Sequence, residues 1–201
     1  MTPLRLVHGI AAPLPTHNVD TDVIMPKRFL RTVTRAGLAE GFLADLRADA
    51  AFALNRAPWN DAKILVVGDN FGCGSSREHA VWGMAQFGIR AVLGTGFAGI
   101  FYDNCRGNGV AAIILPGADR DHLMRLATTA ATASMTVDLE TLRIGWDGGS
   151  LDFTMPETIR ADLLSGADAI ARTLQRAGGA SGDDVITRFE ATLQPGIAQR
   201  R

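Results

Sequence analysis

Cysteine is scarce in this chain of 201 residues: only Cys73 and Cys105 are present. Iron–sulfur clusters are held by sets of cysteine thiolates, so two distant cysteines with no CxxC cannot hold one alone. The same count argues against a structural zinc site and against a secreted disulfide framework. Long apolar runs are missing too, and none approaches the roughly 20 residues of a membrane span. The first stretch, MTPLRLVHGIAAPLP, is broken by Arg5, His8 and prolines. It lacks the apolar centre of a secretory signal, so the expected location is cytoplasmic. An excess of either charge is also absent: Lys+Arg 20 against Asp+Glu 21 leaves a formal charge of -1. The basic residues are scattered, which leaves no field to favour nucleic acid or an acidic membrane. There is no internal repeat.

What is present reads as a globular enzyme-sized unit. Hydrophobic residues make up 47% and charged residues 20%, and the length suits one domain with a sizeable core. Residues 5–10 read as a short strand and 13–29 as an ordered loop rich in turn formers. Leu38, Phe42, Leu46 and Leu54 recur at roughly helical spacing over 35–55. Residues 63–67 form a continuous apolar run, as in a strand buried on both faces. The pattern then alternates: a helix over 78–87 with Val81, Trp82 and Ala85 inward, a strand at 90–93, a helix over 97–104 and a strand at 111–115. A helix over 119–131, a hairpin at 135–139 and 142–146, and a strand at 150–154 follow. C-terminal helices are expected over 157–175 and 183–193, joined by the glycine-rich 178–182. The central alternation implies parallel crossovers, and the hairpins add antiparallel pieces. The fold class is therefore α/β, one mixed domain spanning 1–201 with β-rich layers and helices on a face.

Residues 68–80, GDNFGCGSSREHA, lie between a strand and a helix. Gly68, Gly72 and Gly74 allow close approach and positive φ. Ser75, Ser76 and Arg77 stand where the helix N-terminus leaves unpaired N–H groups and partial positive charge. Two hydroxyls and a guanidinium fork there make a cradle for a carboxylate or phosphate. Ser75-x-x-Glu78 also fits a capping box, in which both side chains only satisfy the helix end. The two readings are compatible if one serine caps and the other faces a ligand.

The string NFGCGSSREHA resembles the signature loop of the isopropylmalate-type dehydratase small subunits and the matching loop of the aconitase swivelling domain. Asn18-Val-Asp-Thr-Asp-Val-Ile-Met-Pro26 resembles the family's early N-V-D-T-D-x-I-x-P loop. Gly94–Asn104 and Ser165–Leu174 are similar to two later stretches, so the resemblance covers nearly the whole chain. It implies a swivelling β/β/α domain with a mixed, partly parallel sheet. It implies a hydro-lyase that interconverts 2-isopropylmalate and 3-isopropylmalate through isopropylmaleate, in leucine biosynthesis. Hydro-lyases for citraconate, dimethylmalate or homoaconitate share these loops. The resemblance assigns Ser75 as catalytic base, with Ser76 and Arg77 binding substrate carboxylates. It places Asp20, Thr21 and Asp22 near the mouth of the site, where turn chemistry that holds the loop is an equal alternative. It implies no cofactor in this chain and a 4Fe-4S cluster in a larger partner subunit, whose iron acts as a Lewis acid on the leaving hydroxyl.

Other residues are read more plainly. Val23, Ile24 and Met25 suit either an apolar substrate surface or the core. His17 and His79 are read as structural hydrogen bonders, Glu78 as a helix cap, and Cys73 as structural. Cys105, the polar 103–109 segment and Gly99 depart from the family pattern. Gly94-Thr-Gly-Phe-Ala-Gly99 is a literal G-x-G-x-x-G, with Asp119 about twenty residues on. That raises a remote alternative, an NAD(P)-binding turn. A regulatory, non-catalytic subunit is a third reading, and the intact S-S-R argues against it.

Overall fold

The computed structural model describes residues 1–30 and 37–166. Seven strands form one sheet in the order β4-β3-β2-β1-β5-β6-β7. Strand β1 (Leu6–Leu14) is its hinge. Its second half runs parallel to β2 (Ile64–Val67), with Ala11 opposite Ile64. Its first half runs antiparallel to β5 (Ser134–Asp138), with Val7 opposite Val137. Strands β3 (Ala91–Gly94) and β4 (Ala111–Ile114) extend the parallel half. Strands β6 (Arg143–Trp146) and β7 (Gly149–Asp152) extend the antiparallel half as a meander. The sheet is thus mixed and partly parallel, as the sequence indicates.

Every residue of β2 and β3 is buried. A strand whose alternate side chains all leave water needs a cover on both faces. Helix α2 (Glu78–Phe87) and helix α3 (Gly99–Gly107) supply one cover. Their Val81, Met84, Phe101 and Cys105 pack with Leu65, Val67 and Val92. Helix α4 (Gly117–Thr128) and helix α5 (Glu157–Ser165) supply the other. Their Leu123, Ala127, Ile159 and Leu163 pack with Ile64, Val66 and Leu93. The helices therefore occupy both faces, not the one face expected from the sequence, because β2 and β3 are buried on both sides.

Two expectations need correction. Residues 37–55 do not form an α-helix: Leu38–Glu40 and Ala53–Asn55 are 3-10 turns. Leu43 adopts a positive φ of 51° between them, which interrupts any continuous helix. The inward face of α2 is Ala80, Val81, Gly83 and Met84, not Val81, Trp82 and Ala85. Gly83 dictates this rotation. A Cβ there would stand 2.1 Å from Met25 Cε and 2.9 Å from the Leu38 carbonyl, so only glycine admits that contact. The helices expected over 157–175 and 183–193 are described only as α5, and the remainder lies outside the described residues.

Candidate active site

The parallel strands β1, β2 and β3 deliver three loops to one edge of the sheet. Such an edge, beyond the carboxyl ends of parallel strands, is where open α/β sheets bind ligands. Asp20 bridges Cys73, and Phe71 bridges Phe97, so the three loops run side by side. The middle loop is anchored by Phe71, which is fully buried and meets the Phe101 ring edge-on at 5.4 Å. Gly68 abuts the Thr16 carbonyl, where a Cβ would lie 2.3 Å away. Gly74 takes a φ of 88°, which a side chain would resist.

Helix α2 starts at Glu78, with Arg77 as its N-cap and no side-chain cap. The capping box is therefore not formed. Glu78 Oε1 instead accepts from Asn108 Nδ2 at 2.9 Å, while Asn108 Oδ1 accepts from the Trp82 indole at 3.0 Å. The polar segment after Cys105 thus fastens α3 to α2. Ser75 and Ser76 are exposed, and among the described residues neither hydroxyl is spent on a cap or another side chain.

The residues of the first loop hold this arrangement. Asp20 caps the short helix α1 (Thr21–Ile24), its Oδ1 accepting from the Val23 N–H at 2.8 Å. Thr21 is buried, and its hydroxyl donates to the Ser75 carbonyl at 2.8 Å. The Thr21 N–H donates to the Cys73 carbonyl at 2.9 Å. Asp22 pairs with Arg77 through Oδ1 and Nη1, with Arg77 largely buried. Asp20 Oδ1 and the Thr21 hydroxyl thus serve the loops themselves, the turn chemistry weighed for them from the sequence. Ile24 and Met25 are fully buried core residues, which decides against an apolar substrate surface for them.

His17 makes the hydrogen bond expected of it, whereas His79 makes a ring contact. His17 Nδ1 accepts from the Asp69 N–H at 3.0 Å, and the His79 ring lies 4.7 Å from Trp82. Cys73 is half-buried on the loop and Cys105 is buried. Burial pushes the Cys105 thiol above its ordinary range. Among the described residues no three His, Cys, Asp or Glu side chains gather as a metal ion would require. No described helix is long and apolar enough to cross a membrane. A cleft of about 360 Å³ is lined by Trp82, Ala85, Gln86, Arg90 and Asn108, none of them on the serine loop. On the loop itself Gly74, Ser75 and Ser76 are exposed.

Sequence reasoning missed a polar cluster beside the loop. Asp69 Oδ1 accepts from Thr95 Oγ1 at 2.5 Å and lies 3.1 Å from Arg120 Nη2. The Thr95 hydrogen bond foremost, with help from the Arg120 charge, holds the Asp69 carboxyl below its usual range against the opposing effect of burial. The only local signal was Asp69 itself inside the motif string, since Arg120 is distant in sequence. Thr95 belongs to the G-x-G-x-x-G stretch, whose Phe97 ring stacks on Phe101 and Tyr102. Asp119 lies in the first turn of α4, not at the end of β4 where a dinucleotide turn would need its acid.

A swivelling-type α/β unit that presents a serine-arginine loop on an open edge is the class these features define, and residues 1–117 match the Aconitase C-terminal domain family. The chain is 48% identical over 197 residues to the 3-isopropylmalate dehydratase small subunit of Rhizobium rhizogenes, covering 94% of this chain and 96% of that one. It is 49% identical over 194 residues to the same-named subunit of Sinorhizobium fredii, covering 93% and 95%. The solved 3-isopropylmalate dehydratase structure from Methanocaldococcus jannaschii superposes with a TM-score of 0.66 at 28% identity, covering 85% and 95%. The chain belongs to the family of 3-isopropylmalate dehydratase small subunits, hydro-lyase components that imply a large partner subunit.

Proposed function

We propose that this chain, as one swivelling domain in the cytoplasm, completes the active site of a larger cluster-bearing subunit, and that the pair interconverts 2-isopropylmalate and 3-isopropylmalate through isopropylmaleate. The observation that carries the reading is the state of the serine loop. Ser75 and Ser76 are exposed just before α2 with no cap to serve, while Thr21 holds the Ser75 carbonyl and Asp22 holds Arg77.

In this reading Ser75 Oγ removes the proton from the carbon beside a substrate carboxylate and returns it on rehydration. A free hydroxyl is a poor base at neutral pH. The partial positive charge at the start of α2 and the Arg77 guanidinium both favour its deprotonated form. Arg77 and Ser76 bind carboxylate oxygens, the guanidinium offering a planar fork that Asp22 orients. Asp20 and Thr21 act on the substrate through the backbone of the serine loop. The residues of this chain do not fit a 4Fe-4S cluster, so the partner is assigned that group and no step here runs through it.

The test is co-expression with the cognate large subunit and an anaerobic hydration assay on isopropylmaleate, citraconate, dimethylmaleate and homoaconitate. Preferential turnover of isopropylmaleate is the expected result. Preference for another of the four would reassign the substrate, and absence of turnover on all of them in an assembled, cluster-loaded complex would overturn the proposal.

A further inference from the structure

We propose that Arg120, acting through Asp69 and Thr95, is a positioning residue that fixes the serine loop for the dehydration reaction. This rests on the reading of Ser75 as base. Arg120 is 7% exposed, too buried to meet substrate, and a buried guanidinium is costly unless its donors are used. Here they are used on the frame of the site. Nη1 donates to the Val67 carbonyl at 2.9 Å, at the end of β2. Nη2 lies 3.1 Å from Asp69 Oδ1, and Nε lies 2.8 Å from Asp121 Oδ1.

Asp69 spreads that hold over the other loops. Its carboxylate takes the Thr95 hydroxyl from the loop after β3. Its N–H donates to His17, and its carbonyl accepts from the Asn18 N–H at 2.9 Å, both in the loop after β1. Arg120 itself comes from α4, which follows β4. One cluster thus ties together the segments leaving all four parallel strands. The serine loop is pinned along its length: Asp69 by Arg120 and Thr95 and, through its backbone, by His17 and Asn18, Asn70 by Asn18, Phe71 by Phe101, Gly72 by Val19, and Cys73 and Ser75 by Thr21. Arg120 secures the first of these pins, at the point where the loop leaves the sheet. Without the Asp69 carboxylate contacts that end of the loop is held, among the described residues, only by the segment after β1, and small misplacements of a reacting group cost large factors in rate.

The experiment uses the assembled, cluster-loaded complex with its large subunit. Asp69→Asn, Thr95→Val, Arg120→Gln, Arg120→Lys and the Asp69→Asn/Arg120→Gln double variant are compared with wild type and with Ser75→Ala. The expected result is a kcat lowered about tenfold in each single variant, with KM within about twofold, because the fault is in placement. Lysine should not rescue Arg120, since a point charge cannot replace three directed arms. The double variant should be no slower than its slower parent, because the two residues act as one unit. Unchanged kcat in Asp69→Asn and Thr95→Val, or losses that multiply in the double variant, would overturn the proposal. Should Arg120→Gln fail to fold, Asp69→Asn and Thr95→Val still decide, Asp69 being half-exposed. Normal kcat in those two with turnover lost in Ser75→Ala sinks this inference alone, whereas turnover surviving in Ser75→Ala sinks the reading on which it rests.

Discussion

Arg77 shows how much of a residue's role lies in its neighbours. It is the N-cap of α2 by position, yet its side chain leaves the helix end uncapped and pairs with Asp22 from another loop. In the proposed mechanism the pairing holds the guanidinium in a fixed plane, with its other nitrogens available to a substrate carboxylate. Arg77→Lys keeps the charge and loses the fork. In the assembled enzyme it should lower kcat/KM about 10²-fold, close to the loss on removing one preorganised donor. Steady-state kinetics on isopropylmaleate measure this, and a loss below threefold would mean that charge alone suffices. At this scale the sequence made Ser75, Ser76 and Arg77 visible because they form one contiguous string. It could not show what Asp20 and Thr21 do. Whether a threonine hydroxyl meets a ligand or a backbone carbonyl depends on a partner 54 positions away.

Among the elements, legibility followed the strength of the local pattern. Strands β2, β3 and β4 were readable because unbroken apolar runs have few alternatives, and α2 occupies the span that its sequence predicts, Glu78–Phe87. Its rotation was not readable, since Gly83 must meet the Leu38 carbonyl, a tertiary fact. Residues 37–55 misled for a related reason. Apolar spacing near four residues suits successive 3-10 turns wrapped on a core as well as it suits a helix. The serine loop is itself an element, defined by three anchors and two glycines of positive φ. Gly72, at φ 78°, would place a Cβ 2.3 Å from Phe101 Cγ. Gly72→Ala should therefore cost at least about 1–3 kcal/mol from backbone strain alone, read as a lower urea midpoint of the isolated chain. An unchanged midpoint would mean that the loop is not held where Phe101 defines it.

The whole molecule is a frame for half a site. A sheet hinged at β1 lets parallel strands deliver loops to one edge while an antiparallel meander extends the other side. Charge balance and the two cysteines exclude many functions, and the exposed serines suit the proposal that a larger subunit completes the site. The sequence made the class legible through two loops of fixed order and spacing. The substrate was not legible, because the loops that carry the resemblance are shared by hydro-lyases for several related acids. The central claim is that Ser75 supplies the base. The direct measurement is turnover of isopropylmaleate by the anaerobically assembled complex carrying Ser75→Ala, with complex formation checked in the same preparation. The account predicts intact assembly and a kcat reduced by at least about 10³-fold, toward what binding alone can provide. A variant that assembles and keeps a kcat within tenfold of wild type would contradict it.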